Sequence, residues 1–279
     1  MAGPVELSSW IGRSRTQQDR LDPQPARFMQ ATLGLAPDLK TGDLLPPLWH
    51  WLYFLEARPM DELGRDGHVR RGGFLPPVAL PRRMWAGGRL TFNVPLRLGA
   101  AVRRVSTITK VTEKTGRTGS LCFVTVCHEV FCDETVALNE EQDIVYREDP
   151  GLDAPSPQSQ LGARRPDWSR NITPSPVQLF RYSALTFNGH RIHYDVDYAR
   201  TVEGYPGLVF HGPLIATLLL DLAIQGSGGR QPAAYEFRAL SPIAGSAPFR
   251  IEGSSTAAGA DLWARRHDGT MAMRASASF

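Results

Sequence analysis

The chain has 279 residues, of which 42% are hydrophobic and 21% are charged, a composition that excludes extensive disorder and suits two domains of about 130 residues each. Its net charge of +3 arises from arginines interspersed with acids, which argues against a nucleic-acid-binding protein. Because the sequence shows neither a secretory signal peptide nor an apolar stretch of about 20 residues, we expect a cytoplasmic protein that does not cross a membrane.

The N-terminal part of the chain contains two segments with a clear structural signal. Residues 5–35 place apolar side chains at helical spacing and predict a mainly helical segment, which Pro23 and Pro25 interrupt. Residues 47–56 are strongly aromatic. We expect this second segment to pack in the core as a strand or a helix.

Residues 70–88 are dense in proline, glycine, arginine and aromatic residues. Proline removes hydrogen-bond donors and fixes the backbone, so the segment predicts a stiff loop of about twenty residues, and ordered loops of this length are usually functional. The alternative interpretation is a solvated basic turn that connects a helix to a strand. If the loop binds a ligand, its candidate contacts are Arg82, Arg83, Met84 and Trp85.

The segment that follows predicts a series of strands, because β-branched and aromatic runs alternate there with glycines and acidic turns. The runs cover residues 90–94, 101–111, 120–131 and 142–147. Three cysteines lie at odd intervals in one strand region, so successive side chains point to opposite faces and no disulfide framework is expected. They are Cys122, Cys127 and Cys132.

The sequence divides into two similar halves. Residues 151–175 are rich in proline and serine and predict a linker. Residues 90–99 and 235–245 each carry a proline followed by a glycine ahead of a predicted strand pair, which indicates a weak internal repeat. We therefore predict a mostly antiparallel α+β fold whose halves span residues 1–150 and 176–279.

A long apolar run marks the second half. Residues 213–225 are almost wholly apolar and are followed by glycines, which predicts a buried helix. His211 and Gly212 lie at its first turn, where backbone N–H groups lack helical partners and the macrodipole would stabilise a developing oxyanion. Gly212 would let a carbonyl group approach closely. The alternative is an ordinary turn into a core helix with Pro213 at its first position.

A polar cluster precedes this helix. A helix predicted at residues 177–185 leads to Asn188, and the next loop presents His190 and His193. Imidazole is suited to proton transfer near neutral pH, whereas the asparagine amide can hold a water but cannot take its proton. His193 is therefore the candidate base and Asn188 the group that orients the water. Asp195 either supplies a second acid/base group or, as we favour, caps the following segment.

Here the sequence resembles a known family. The pattern Phe187-Asn188-x4-His193-Tyr-Asp195, with His211-Gly212 opening a long apolar helix, resembles the hydratase motif of the MaoC-like (R)-specific hydratases and dehydratases. The resemblance implies a double hotdog fold, in which each half is a curved antiparallel sheet around a long central helix. It also implies that His193 is the catalytic histidine and Gly212 the oxyanion donor, while Asn188 stands where the commonest pattern has aspartate.

Within this family, the chain is similar over nearly its whole length to hydratases of short branched dicarboxylic CoA esters such as itaconyl-CoA and mesaconyl-C4-CoA. The similarity implies hydration of such an enoyl-CoA at one site per chain, in the second half and covered by the first, and makes a homodimer plausible. The alternatives are a 3-hydroxyacyl-thioester dehydratase of fatty-acid metabolism and an acyl-CoA-binding module without turnover. The residues expected to bind CoA or a distal carboxylate are Arg82, Arg83, Met84, Trp85, His211, Arg265 and Arg266.

A metal-binding interpretation is also open. His190 and His193 are three residues apart and have Asp195 and Asp197 nearby, which is a possible ligand set for a divalent ion. The signal is weak in a loop without a further ligand. We therefore expect His190 to be a hydrogen-bonded structural residue and the reaction to need neither a metal nor a redox cofactor.

Overall fold

The computed structural model describes residues 6–116, 119–148 and 165–279. In this part of the chain, ten strands form one antiparallel sheet. The first five strands are β1 (Ser14–Arg20), β2 (Arg82–Phe92), β3 (Ala101–Gly116), β4 (Gly119–Cys132) and β5 (Thr135–Arg147). The second five are β6 (Trp168–Ile172), β7 (Ala234–Ala239), β8 (Phe249–Ser255), β9 (Gly259–Arg265) and β10 (Met271–Ser278).

The strand order repeats itself in reverse. It runs β1-β3-β4-β5-β2 and then β7-β10-β9-β8-β6, so the two halves meet where β2 pairs with β7. Glycine is required at this junction because the backbones approach closely. A Cβ atom at Gly87 would lie 2.5 Å from the carbonyl oxygen of Phe237, and one at Gly88 would lie 2.9 Å from the Phe237 ring. The predicted antiparallel α+β architecture is confirmed.

The helices are unequally distributed between the halves. They are α1 (Pro23–Thr32), α2 (Pro176–Leu185), α3 (Val196–Thr201) and α4 (Gly212–Gly226). The predicted apolar helix is confirmed as α4, which buries nine of its 15 residues against the strands of the second half. Each buried leucine contributes about 1.5–3 kcal/mol of hydrophobic stabilisation. No helix among the described residues is long and apolar enough to span a membrane.

Among its described residues, the first half lacks the long central helix that was expected in each half. Between α1 and β2 the structure has only single 3-10 turns, Trp49–Leu52 and Met60–Glu62. The aromatic segment nevertheless packs in the core as predicted, because Trp49, Leu52, Tyr53 and Phe54 are buried there. Leu48 and Phe54, on either side of the first of these turns, have positive φ angles of 70° and 57°, which interrupt a right-handed helix.

Three further boundaries differ from the sequence prediction. Residues 5–35 are not mainly helical: Ser14–Arg20 forms the edge strand β1, whose polar sequence gives no periodic signal, and α1 begins at Pro23, where proline is well tolerated. Arg82 to Gly88 belongs to β2 rather than to a loop. Strand β6 lies inside the predicted linker and pairs with β8, and residues 149–164 of that linker lie outside the described part of the chain.

Candidate active site

Asn188 closes the turn that follows α2. Its backbone N–H donates to the Ser183 carbonyl oxygen at 2.8 Å, and its side-chain Oδ1 accepts the backbone N–H of His190 at 3.0 Å. A short polar side chain suits this position because it can bond to the backbone two residues further on. The turn leads into a single 3-10 turn, Arg191–His193. Asn188 thereby helps to set where His190 and His193 point.

His193 is a buried imidazole with one defined hydrogen bond. Its Nδ1–H donates to the Val209 carbonyl oxygen at 2.7 Å, which leaves Nε2 as an acceptor in the neutral ring. Burial disfavours the charged form and lowers the pKa of His193 to about 4. The ring is therefore neutral at pH 7 and able to accept a proton. The imidazolium formed in this way would be a strong acid that readily returns the proton.

His211 supports the His193 ring from one face. The two rings stack with centroids 3.7 Å apart and planes 18° from parallel. Ser183 Oγ hydrogen-bonds to His211 Nε2 at 2.9 Å, and Tyr182 packs edge-on against His211 at 4.8 Å. His211 is fully buried, so its place in the structure is a packing partner of His193. Its predicted contact with the substrate stays a prediction.

Helix α4 presents its N-terminus beside these rings. His211 is the N-cap, and the helix begins at Gly212 and Pro213. Proline has no N–H, so the first free donor of the helix is that of Gly212. A Cβ atom at Gly212 would meet no other atom within 4 Å. The Gly212 N–H thus lies at the positive end of a helix with room beside the Cα atom, and its role as an oxyanion donor stays a prediction.

Asp195 caps helix α3 and is not arranged as an acid/base group. Its Oδ1 accepts the Tyr198 backbone N–H at 2.9 Å, and its Oδ2 accepts from the Arg191 guanidinium at 2.8 Å and 3.0 Å. These interactions hold the pKa of the Asp195 carboxyl below its usual value. Both carboxylate oxygens are engaged in fixing the loop. The capping interpretation favoured from the sequence fits this geometry, and the catalytic one does not.

A loop of the first half lies directly against the His190 turn. The Arg191 backbone N–H donates to the Asp66 carbonyl oxygen at 2.9 Å. A Cβ atom at Gly67 would lie 1.9 Å from the Gly189 carbonyl oxygen, so only glycine fits. The loop adds two residues that the sequence analysis missed, Asp66 and His68. Their Asp-Gly-His spacing was the only signal, and it is too short to be specific.

Asp66 and His68 form a hydrogen-bonded pair. The Asp66 Oδ2 atom accepts from His68 Nδ1 at 2.9 Å, and Oδ1 accepts from the His68 backbone N–H at 3.1 Å. Burial raises the pKa of the Asp66 carboxyl, but the hydrogen bonds from His68 and the charge of Arg83 outweigh it and hold this pKa well below its usual range. Asp66 is therefore ionised at neutral pH.

Four imidazole rings form a row from this loop to helix α4. Ring centroids are 4.2 Å apart between His68 and His190, 5.5 Å between His190 and His193, and 3.7 Å between His193 and His211. Burial lowers the pKa of all four rings. At pH 7 the row is uncharged, so each ring carries one donor and one acceptor nitrogen.

The start of β2 contributes to a cavity beside His190. Arg82 is buried in a salt bridge with Glu203, Nε to Oε2 at 3.1 Å, so it has a carboxylate partner within the chain, and its predicted contact with a ligand stays a prediction. Arg83 forms no salt bridge within the described residues. The cavity that opens here is lined by Asp66, Arg82, Arg83, Met84, His190, Ile192, Glu203 and Tyr205.

A second cleft, in the first half of the chain, has a volume of about 310 Å³. Asp66 and Arg83 lie in the walls of both openings, so the cleft and the cavity are neighbours. The second cleft is strongly basic. Its lining includes Arg65, Arg70, Arg71, Arg83 and His68.

Three other predicted ligand contacts have structural roles. Trp85 Nε1 donates to the Gly87 carbonyl oxygen at 2.8 Å, and its ring packs on Trp51 and Phe237 in the core. Arg265 is buried beside Glu252 at 3.0 Å. Arg266 pairs with Asp268 at 3.0 Å on the turn after β9. The sequence could not show the core packing of Trp85 or the carboxylate partners of the two arginines, and a ligand contact by these three residues stays a prediction.

Comparison of the fold with solved structures identifies the class of protein. A MaoC-like dehydratase from Phytophthora capsici matches with a TM-score of 0.69 and 14% identity, covering 99% of both chains. HtdX from Mycobacterium tuberculosis matches with a TM-score of 0.66 and 18% identity, covering 95% of this chain and 98% of that one. A further Mycobacterium tuberculosis protein, described as a double hotdog fold, matches with a TM-score of 0.54. The chain has the double hotdog fold.

Sequence comparison then gives the family. The family model described as hydroxyacyl-thioester dehydratase type 2 matches residues 48–245. A mesaconyl-C(4)-CoA hydratase from Chloroflexus aurantiacus is 46% identical over 98% of this chain and 97% of that protein. A mitochondrial hydroxyacyl-thioester dehydratase type 2 from Schizosaccharomyces pombe is 29% identical over 89% and 92%. The chain belongs to the hydroxyacyl-thioester dehydratase type 2 family, which confirms the predicted resemblance and makes it an enzyme of the hydro-lyase class.

Proposed function

We propose that this enzyme adds water to the double bond of a short enoyl-CoA whose β carbon carries a carboxylate, as in mesaconyl-C4-CoA. The observation that carries the proposal is that buried, neutral His193 lies beside the open N-terminus of α4 at Gly212. The near full-length similarity to a mesaconyl-C(4)-CoA hydratase supports the choice of substrate. Itaconyl-CoA is the second substrate that the sequence favours. Its double bond joins the β and γ carbons, so a proton must first move from the α carbon to the γ carbon before water is added in the same way.

In the proposed reaction, the thioester carbonyl oxygen accepts a hydrogen bond from the Gly212 N–H. His193 Nε2 takes a proton from a water molecule while the water oxygen forms a bond to the β carbon. The electron pair of the double bond moves toward the carbonyl oxygen and produces an enolate, which the helix terminus stabilises. The imidazolium of His193 then returns the proton to the α carbon. Each atom of the water is accounted for, and the histidine ends neutral.

Asn188 has a positioning role in this proposal. Its Oδ1 is occupied by the His190 backbone N–H, so its amide nitrogen is the part available to a water molecule. The prediction that Asn188 orients the water therefore rests on that nitrogen. Asn188 cannot replace His193 as the base, because an amide does not accept a proton at neutral pH.

Arg83 is the proposed binding partner of the substrate carboxylate. In a substrate of the mesaconyl-C4-CoA type, the carboxylate is bonded to the carbon that the water attacks, so its binding group must lie near the proton-transfer residues. Arg83 lines the same cavity as His190 and has no salt bridge among the described residues, whereas Arg82 is committed to Glu203. A guanidinium can bind a carboxylate through two parallel hydrogen bonds.

The test is water addition by the purified protein to mesaconyl-C4-CoA, itaconyl-CoA and crotonyl-CoA, followed by the mass of the product. We expect the carboxylated esters to have the higher kcat/KM, because crotonyl-CoA offers no partner for Arg83. A preference for crotonyl-CoA would favour the dehydratase of fatty-acid metabolism. Binding of all three esters without turnover would indicate the non-catalytic module.

Two expectations from the sequence remain predictions. The first is a homodimer, for which light scattering should give about twice the chain mass of 30.8 kDa. A mass equal to that of one chain would contradict it. The second is a cytoplasmic location, which fractionation of the native cells would test.

A further inference from the structure

The Asp66–His68 pair is the strongest feature that the mechanism above leaves unused. The pair belongs to the first half of the chain, yet the His68 ring lies 4.2 Å from the ring of His190 in the second half. Asp66 lines the cavity beside His190 and also the adjoining basic cleft. An ionised carboxylate is therefore held at the junction of the halves, next to the proposed reaction site.

The position of the pair is fixed by backbone contacts. The close approach of Gly67 to Gly189 leaves no room for a side chain at Gly67. The hydrogen bond from the Arg191 N–H to the Asp66 carbonyl oxygen adds a second point of attachment on the opposite loop. Residues held on both sides by backbone contacts keep the geometry that a reaction site needs.

The spacing of the polar atoms suits one water molecule. One nitrogen or oxygen atom from each of Asp66, His68 and His190 lies within 4.8 Å of the other two. Three atoms at such separations have a common point no more than about 2.8 Å from each, which is an ordinary hydrogen-bond distance to a water oxygen. A buried water needs two to four polar partners, and this cluster offers three.

The hydrogen-bond acceptors around this point also favour a water molecule whose oxygen is directed at the substrate. Asp66 is ionised and accepts hydrogen bonds only, while its contact with His68 Nδ1 leaves the other nitrogen of that ring as an acceptor. A water that donates one hydrogen to this pair has its second hydrogen available for another base. His193 is the base that lies next along the row of rings.

We propose that Asp66, His68 and His190 bind the water that is added to the substrate, so that both halves of the chain build the reacting site. The water donates one hydrogen bond to the Asp66–His68 pair and keeps that hydrogen. It donates the other to His193, which takes that proton as the oxygen adds to the β carbon. In the reverse direction the same three residues bind the departing hydroxyl oxygen. This assignment rests on the proposed hydration at His193.

The test compares Asp66→Asn and His68→Gln with the wild-type protein. Each variant removes a hydrogen-bond partner of the proposed water but leaves Gly212, His193 and Arg83 in place. We expect kcat for hydration to fall about 10²-fold, the size of effect that a displacement of a reacting group by about 1 Å can have. We expect KM, and the affinity for the saturated acyl-CoA analogue of the substrate, to change less than about threefold. Asp61→Asn, in the same loop region but exposed, is the matched control and should retain full activity.

The readouts separate a role in chemistry from a role in folding. Unchanged kcat in both variants would overturn the inference, and so would a loss of analogue affinity as large as the loss of kcat. A His68→Gly variant provides a second measurement, since added imidazole should restore part of its kcat if His68 contacts the reacting water. Folded His68→Gly protein that imidazole does not rescue would count against the proposal.

A metal ion is the competing occupant of the same three residues. We expect wild-type activity to be unchanged after dialysis against EDTA and the metal content to be far below one per chain. Activity that EDTA abolishes and zinc restores would overturn the water assignment. Failure of the proposed function is distinguishable from failure of this inference. The first would show as no hydration by the wild-type protein, and the second as active wild type with unaffected variants.

Discussion

The two halves of the molecule share the same strand order and the same turn after their first helix, but they differ in the side chains at matching positions. Helices α1 and α2 each begin at a proline and have ten residues. After each of them the same 2.8 Å backbone hydrogen bond closes the turn, from Leu35 N–H to the Gln30 oxygen and from Asn188 N–H to the Ser183 oxygen. Leu35 thus occupies in the first half the position of Asn188 in the second, and an apolar side chain replaces the polar one.

The same comparison holds at the start of the central helix. An isolated bridge pairs Leu44 with Arg97 in the first half and Val209 with Ala244 in the second. Two residues after Val209, His211 and Gly212 begin α4. Two residues after Leu44, the first half has prolines at positions 46 and 47. Proline has no N–H, so the first half cannot offer the backbone donor that Gly212 offers.

The difference explains how one site can serve the whole chain. The first half keeps the sheet and the turn after α1, but the part of it that the structure describes has no long helix with a free N-terminal donor. What it adds instead is the loop with Asp66 and His68, which contacts the His190 turn. Substitutions at paired positions of the two halves therefore test the account, because only one member of each pair should affect turnover.

The largest expected effect comes from His193→Ala. Removing the proposed base should lower kcat for mesaconyl-C4-CoA by about 10³-fold, within the range for general acid–base groups. Steady-state turnover measures the loss, and binding of the saturated analogue shows whether the site is intact. The exposed histidine variant His267→Ala is the control. Turnover by His193→Ala near the wild-type rate would refute the mechanism.

The next-largest effect tests the N-terminus of α4 by introducing the proline that the first half has at the matching position. Gly212→Pro removes the proposed oxyanion donor, and a loss of about 10²–10³-fold in kcat is expected for one such donor. The fold should accept it, because the ψ angle of 126° at His211 already suits a following proline. Gly212→Ala keeps the N–H and should lose much less. Equal activity of the two variants would show that this N–H is not used.

Neighbouring arginines give the third comparison. Arg83→Gln should lower kcat/KM for mesaconyl-C4-CoA by about 10–100-fold, since hydrogen bonds between charged groups contribute about 1.5–3 kcal/mol, and should leave crotonyl-CoA turnover unchanged. Arg82→Gln leaves the buried Glu203 carboxylate without this salt bridge and should instead lower the thermal unfolding midpoint. If Arg83→Gln weakened both substrates equally, the carboxylate assignment would be wrong.

Asn188 and Leu35 form a matched pair with a smaller expected effect. Asn188→Ala removes the hydrogen bond to the His190 N–H, and a loss of about 1 kcal/mol in positioning corresponds to about a fivefold fall in kcat. Asn188→Asp keeps the acceptor for the His190 N–H but lacks the amide nitrogen that is proposed to hold the water, so it should recover only part of the loss. Leu35→Ala changes the corresponding exposed position and should have no effect on kcat. Equal effects at both positions would remove the functional distinction between the halves.

The smallest effect is expected from pH near neutrality. The pKa of about 4 for His193 means that the neutral base predominates from pH 6 to pH 8, so kcat/KM should be constant there. It should fall tenfold per pH unit only below about pH 4, as the ring takes up a proton. Circular dichroism at each pH separates this fall from unfolding. An inflection near 6.5, the ordinary value for histidine, would contradict the assignment.

The sequence predicted those parts of the fold that have a local signal. Helices α2 and α4 follow from proline at the first position, apolar spacing and terminal glycines. Strand β1 was missed because an edge strand of polar residues has no alternation to detect. The missing central helix of the first half was also not foreseen, since an aromatic segment can pack in a core without being helical.

The same distinction applies to the site. Asn188, His193 and Gly212 lie within 25 residues of one another, and a short motif revealed them. Asp66 and His68 are more than 100 residues away and reach the site only through the contact between two loops. Sequence alone also could not separate Arg82 from Arg83, because the difference is the buried partner Glu203, which comes from a distant segment.

The most direct test of the contrast between the halves is the number of substrate molecules bound per chain. Isothermal titration of the His193→Ala variant with mesaconyl-C4-CoA measures binding without turnover. We predict one molecule per chain, with binding reduced by Arg83→Gln in the same background. Two molecules per chain would show that the first half has a site of its own and would contradict the account.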